Sequence, residues 1–379
     1  MNYQRWDQSI SWNKERVTSA LTVCDAVYQS ELIELGHDLN EYHRVSWSTA
    51  QHEKLFGYWL RTFIHVLYDR WHGLDARTAI CEPRTPRSIV NLLNPSAYHT
   101  SDELNENLYL QLVTLRESGR LGRLPLPDRL VFSASYQVLG RGRTPVEIHN
   151  PYHSYGIPQW RRRLTSGSVP RRLKKLASPI AFRQAPATSH IVDADWRLSR
   201  SGSQIAGFAE ACSVLVRVHA PAVLLEGFRS MQRAAPRHPA TYLYTANSHI
   251  GHTSFRFLSA QWHNQTRLLT HQHGGGFGLD RHCVAENHGR AVADRFYTWG
   301  WSEGPSTSPL PVPPRVRCNP PTSRSGILLK CVNYPRYAYK IMYQEMAGAN
   351  QALIERTIRF VRNLAGQDLE VSLYPHDYG

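Results

Sequence analysis

Between residues 240 and 301 the sequence alternates short β-branched and aromatic runs with a helical run, and no other feature constrains the fold as much. "ATYLYTAN" reads as a strand ending in polar residues, "TSFRFLSAQWHNQ" as a short helix, "TRLLTHQH" as a second strand and "DRFYTWGW" as a third. Strand, helix and strand at this spacing predict a βαβ layer with a parallel sheet. Ligands of such sheets sit beyond the carboxyl ends of the strands. The "TANSH" end and the "HQHGGGFG" end, residues 271–278, both point there.

The second of these stretches holds four glycines and two histidines in eight residues. A metal site does not fit it. His271 and His273 alternate on an extended segment and face opposite ways. His282 and His288 complete no zinc spacing, and the six cysteines include no CxxC pair. No metal is therefore expected. An oxyanion loop of the hydrolase kind needs a G-x-S-x-G nucleophile elbow, which the chain lacks. Two readings remain open: a structural turn, or a loop where backbone approaches a ligand closely because glycine has no side chain to block it. In the second reading, His273 and the amides of Gly274, Gly275 and Gly276 face the substrate.

The rest of the chain divides by pattern. Residues 1–120 form a mainly helical region. Within it, Leu55, Tyr58, Trp59, Phe63, Val66 and Leu67 make one helical stripe, with Ser48 as N-cap and Gln51 in the capping-box position. Residues 121–302 read as a first α/β domain that ends in the glycine loop and the third strand. It includes an irregular, proline- and arginine-rich part and two helices broken near Pro221. Seven prolines between 305 and 321 mark residues 303–325 as an extended linker. Residues 326–379 read as the start of a second α/β domain, with strands "GILLKCV" and "LEVSLYP" around a helix carrying Ile354, Ile358, Val361 and Leu364 on one face. One such unit cannot bury both faces of a parallel sheet, so this domain is expected to be incomplete.

The formal charge is +14, supplied almost wholly by arginine, since only six residues are lysine. A basic surface attracts anionic partners. The densest stretch, residues 161–175, has seven basic residues in fifteen. It reads as a solvated loop or as a contact with an anionic inner-membrane surface. No nucleic-acid motif accompanies the charge, so nucleic acid is not the expected partner. No apolar run reaches the ~18 residues of a membrane span, and the amino terminus lacks the apolar segment of a signal peptide. With scattered cysteines, this describes a reduced cytoplasmic protein, at most peripheral on the inner membrane.

"HQHGGGFG" followed by "AENHGRAVADRFYTWGW" resembles the signature of the LIC12162-type family of transferases found with O-antigen and capsule genes. More distantly it is similar to capsule Kdo (3-deoxy-octulosonate) transferases. "LNEYH", "YWLRTFIHVLYDR", "PAVLLEGF", "YLYTANSH", "NYPRY" and "LYPHDYG" agree in order. The resemblance implies an α/β, GT-B-like architecture of two domains facing a cleft, after a helical amino-terminal region. It implies transfer of a sugar from a nucleotide sugar to a lipid-linked or polysaccharide acceptor, with no cofactor besides that donor. Gly289 departs from the pattern, where an acidic residue is common, and so does Ser372, where an arginine often stands. Family members also continue past "DYG", so the chain is expected to be truncated and inactive by itself.

A sugar transfer of this kind needs a group for the acceptor proton or the anomeric carbon, and stabilisation of the leaving phosphate. His273 and Glu286 are the base or nucleophile candidates, and Asn247 and His249 are placed to position the acceptor. Asn333, Arg336, Tyr337 and Asp377 follow strands of the second domain, where a donor phosphate would lie. Each also has a plain structural role open to it, as a loop pin, a turn residue or a surface charge. The rival reading is a non-catalytic polysaccharide- or nucleic-acid-binding protein that uses the same basic cleft.

Overall fold

Apolar residues at helical spacing and well-made caps dictate the helices of the amino-terminal half. A computed structural model describes residues 14–74, 93, 98, 101–121, 126–132, 135–138, 146–148, 177–179, 181–184, 187–235, 239–310, 327–330, 341, 347–364 and 371–374. Helix α1 covers Lys14–His43. Ser48 then starts α2 (Thr49–His52), which runs through a π turn (Glu53–Gly57) into α3 (Tyr58–Gly73). The expected capping box is present: the Gln51 N–H donates to Ser48 Oγ at 3.3 Å, and the Ser48 N–H donates to Gln51 Oε1 at 3.0 Å. Helix α4 (Asp102–Ser118) is capped by Ser101 and ends at Gly119 in the left-handed region.

Further helices follow: α5 (Ala194–Arg197), α6 (Phe208–Val218) and α7 (Phe228–Ala234), with a 3-10 turn over Ala222–Leu224. Helices α6 and α7 are the pair expected to break near Pro221. Phe56, Trp59 and Phe63 share one buried cluster with Leu108, Leu215 and Leu224. Helices on both sides of residue 120 therefore close a single core. Arg217 of α6 ties this layer to α1, with Glu31 at 3.0 Å and Asp38 at 2.6 Å.

Strands β1 (Arg129–Phe132) and β6 (Thr188–Ile191) pair antiparallel, as do β2 (Ser135–Val138) and β5 (Ala181–Gln184). Strands β3 (Val146–Ile148) and β4 (Ala177–Pro179) join the main sheet. The remaining members of that sheet come from the stretch that announced it. Strand β7 (Tyr242–Thr245) leads into α8 (Ser248–Gly251) and α9 (Thr253–Gln261), then β8 (Arg267–His271), α10 (Val284–Val292) and β9 (Arg295–Thr298). With β10 (Thr307–Pro309) at one edge, the order is β10-β9-β8-β7-β3-β4, with every pair parallel. Leu243 and Leu268 pack under Phe255, Leu258 and Trp262 of the α9 segment. Tyr58, at the start of α3, packs with Phe277, Val284 and Phe296, so the helical layer reaches the loops at the carboxyl ends of the strands.

Strand β10 (Thr307–Pro309) comes from residues expected to be linker. It pairs with Phe296, Tyr297 and Thr298. A proline is tolerated there because β10 is the sheet edge, where one missing N–H breaks no inner ladder. Farther on, β11 (Ile327–Lys330) and β12 (Val371–Tyr374) pair parallel, with α11 (Ala347–Asn363) between them in sequence. Ile358 of α11, expected on a covered face, is exposed. Among the described residues no helix is long and apolar enough to cross a membrane.

Candidate active site

Parallel pairing brings the carboxyl ends of β7, β8 and β9 to one edge, where Thr245 lies opposite Thr270 and His271 opposite Tyr297. The glycine loop leaves β8 at this edge, and a residue not singled out from the sequence fixes its course. The Gln272 N–H donates to the Tyr297 carbonyl at 2.8 Å. Its side-chain Oε1 accepts the Trp299 N–H at 2.9 Å and the Trp301 indole N–H at 2.8 Å. Its Nε2 donates to the Gly274 carbonyl at 2.8 Å. One buried amide thus joins the loop to the segment after β9. A glutamine between two histidines carries no sequence signal of this role, because its partners lie far along the chain.

His273 is half-buried, and its Nδ1 lies 3.1 Å from the carbonyl oxygen of Ala246, just past β7. A carbonyl only accepts, so Nδ1 carries the proton and Nε2 is the basic nitrogen of the neutral ring. The ring meets Phe277 edge-on at 4.9 Å, and Phe277 is buried against Tyr58 and Phe296. His273 is therefore held in one orientation across the ends of β7 and β8.

The glycines differ in their reasons. Gly278 has φ +79°, and a Cβ there would lie 2.8 Å from the Trp301 ring, so local structure alone requires glycine. Gly274, Gly275 and Gly276 form the turn before it, and the Gly276 carbonyl accepts the N–H groups of Leu279 and Asp280. A Cβ at Gly275 would meet nothing within 4 Å, and at Gly276 only the movable Asp280 carboxylate stands close. Packing does not demand glycine at position 275.

Glu286 is buried in the first turn of α10. Its Oε2 accepts the Gly278 N–H at 2.7 Å. Its Oε1 lies 3.3 Å from Arg290, which also pairs with Glu303 at 2.7 Å. The carboxylate holds the loop from below. Asn247 opens α8, and its carbonyl accepts the N–H groups of Ile250 and Gly251, while its buried Oδ1 has no hydrogen-bond partner among the described residues.

His249 is turned inward rather than toward the open edge. It is 2% exposed and stacks on His288, with ring centroids 6.2 Å apart. Burial first, then His288, His273 and Arg256, push its pKa well below the usual histidine range. A Cβ at Gly289 would come within 2.9 Å of His249 Nε2. That is the physical reason a side chain is excluded at this position, where the resemblance led us to expect an acid. His271 is also buried and is pushed down to about 4 by desolvation, with His273 adding to the shift.

Among the described residues no group of three or more histidine, cysteine or acidic side chains is arranged to hold a metal ion. The expected donor residues Asn333, Arg336, Tyr337 and Asp377 lie outside the described residues, as does the basic stretch 161–175.

No curated protein and no solved structure matches the chain. The model of one family, the LIC12162 family transferase, matches residues 8–115 and 166–379, which include the glycine loop and the elements that hold it. The chain belongs to the LIC12162 family of transferases.

Proposed function

We propose that the chain carries the site of a glycosyltransferase, which moves a sugar from a nucleotide donor to a surface-polysaccharide acceptor of the O-antigen or capsule kind. The observation that carries this reading is the orientation of His273, whose Nδ1–H is held by the Ala246 carbonyl beside an open glycine turn. The basic Nε2 takes the proton of an acceptor hydroxyl. The acceptor oxygen then bonds to the anomeric carbon, and the bond from that carbon to the donor phosphate breaks. The nucleotide leaves with the electron pair. Glu286 and Gln272 hold the loop, and Asn247 orients the acceptor.

In this reading the unit from β11 to β12 belongs to the donor side of a GT-B-like pair of domains. Asn333, Arg336, Tyr337 and Asp377 hold the donor phosphate there, arginine being suited to that role. No cofactor is needed besides the nucleotide sugar. The basic stretch 161–175 keeps the protein at the cytoplasmic face of the inner membrane, close to a lipid-linked acceptor.

The test is nucleotide release from a panel of CMP-, UDP- and GDP-sugars, by this chain and by a second family member with the same loop. Release that needs His273 supports transfer. Calorimetric titration that finds tight binding of oligonucleotides or polysaccharide, and no nucleotide release from any donor, would favour the non-catalytic binding protein instead.

A further inference from the structure

The first turn of α9 holds a buried positive charge that has no negative partner among the described residues. Arg256 stands in the first turn of α9 and is 1% exposed. Its Nη2 donates to the Leu93 carbonyl, while Nε and Nη1 have no hydrogen-bond partner among the described residues. Desolvation pulls its pKa down to about 9, so it stays protonated at neutral pH. The helix N-terminus adds charge of the same sign.

The neighbours do not balance it. His249 and His288 both feel the Arg256 charge, and burial keeps both rings neutral. Both His249 nitrogens and His288 Nε2 are buried without hydrogen-bond partners among the described residues. Tyr58, whose ring is 5.5 Å from His288, is kept protonated by burial. Arg61 also lies near His288 but is paired with Asp25, and His252 lies within reach of Arg256. Acids on the surrounding elements are engaged elsewhere. Glu286 holds Gly278 and Arg290, Glu53 accepts from Tyr28, and Asp294 accepts the Leu268 N–H. An uncompensated buried charge is strongly destabilising, and an anion that reaches it gains in proportion.

We infer that Arg256, with His249 and His288 beside it, is an oxyanion-binding site that takes a carboxylate or phosphate group of an anionic acceptor. The inference rests on reading this sheet as the acceptor side. His273 is among the groups that push the His249 pKa down, so the site adjoins the proposed base. Nε and Nη1 are the donors left for that oxyanion, because Nη2 keeps the Leu93 carbonyl.

The experiment is direct binding by the whole chain, without turnover. Equilibrium dialysis with labelled inorganic phosphate should retain about one ion per chain. Retention should survive about 0.5 M sodium chloride, which screens surface attraction but not a buried site. In calorimetry, inorganic phosphate, glucose 1-phosphate and glucuronate should each raise the melting midpoint by about 2–4 °C beyond sodium chloride of equal ionic strength. Arg256→Gln and Arg256→Met should lose that excess, and comparison with them removes the general stabilisation such salts produce. A larger effect of the sugar phosphate than of the uronate marks a phosphorylated acceptor, and the reverse marks an acidic sugar.

Absence of salt-resistant retention by the wild-type chain overturns the inference, even if both variants fail to fold. Retention undiminished in folded variants overturns it as well. Nucleotide release without anion binding would end this inference and leave the transfer reading standing. Phosphate binding without release from any donor, by this chain or by the second family member, would do the opposite.

Discussion

The Glu286 carboxylate accepts the backbone N–H of Gly278 at 2.7 Å, so α10 grips the glycine loop at its left-handed residue. A buried hydrogen bond to a charged group contributes about 1.5–3 kcal/mol. Glu286→Ala should lower unfolding free energy by about that amount in urea titrations. Glu286→Gln, whose amide oxygen still accepts from Gly278, should lose less and keep most of the activity. If the glutamine variant is as stable as wild type yet inactive, the carboxylate takes part in the chemistry and is not only a support.

His273 is expected to act in the reaction and not in folding. In a longer family member with the same loop, the change equivalent to His273→Ala should reduce kcat/KM by about 10²–10⁴-fold, the usual contribution of a general base. Its melting midpoint should stay near that of wild type, since the ring is half-buried and buries little apolar area. A parallel fall of activity and folded fraction would make it a structural residue.

Gln272 links the loop to the Trp299–Trp301 turn through both ends of its amide. Gln272→Ala leaves the half-buried Trp301 indole N–H and two backbone groups without this partner, at a cost of about 1–3 kcal/mol each where water cannot replace it. Hydrogen exchange should then quicken over residues 274–280 and 299–301 and stay unchanged in α1 and α3. Uniform acceleration across the protein would refute a local role.

Burial keeps several imidazoles neutral in the folded chain. Desolvation brings His52 and His271 to about 4, and His219 and His288 to about 3. In the unfolded chain these rings protonate near pH 6.5. Below that pH the unfolded chain binds more protons, so the stability they contribute is full above about 6.5 and is lost as pH falls toward 4. The loss is up to ~1.4 kcal/mol per pH unit for each ring. Urea midpoints should therefore drop clearly between pH 7.5 and pH 5.5. Equal midpoints would mean the rings are hydrated and free to protonate in the folded state.

The arginine-rich stretch 161–175 is expected to bind anionic vesicles. Each basic residue near such a surface contributes about 1 kcal/mol, and the attraction weakens with salt. Replacing Arg161, Arg162, Arg163, Arg171 and Arg172 with glutamine should abolish co-sedimentation with vesicles containing phosphatidylglycerol. Sedimentation that survives the replacement would assign membrane binding, if any, to another surface.

Much of the fold was legible because it depends on neighbours in sequence. The Ser48–Gln51 capping box closes within three residues. The runs that form β7, β8 and β9 carry alternation that only a strand satisfies, and the helices between them force a parallel sheet. Such a sheet puts its ligand edge where "TANSH" and "HQHGGGFG" end, so the place of the candidate site followed from local pattern. Strand β10 was hidden, because its proline argues against a strand everywhere except at a sheet edge, and edge position is a property of the assembled sheet.

Directions and partners were not legible. His249 reads as a polar residue at a strand end, yet it turns inward because Gly289 leaves room for its ring. Gln272 finds Trp299 and Trp301 at 27 and 29 residues' remove, and Arg256 meets Leu93 across 163. By itself the sequence determined the helices, the parallel strands, the glycine loop and its position, since backbone propensity and capping act between near neighbours. Only the tertiary structure decided which nitrogen of His273 is basic, which acid holds the loop and which charge is left unpaired. Those depend on groups that become neighbours only when the sheet and the helical layer pack together.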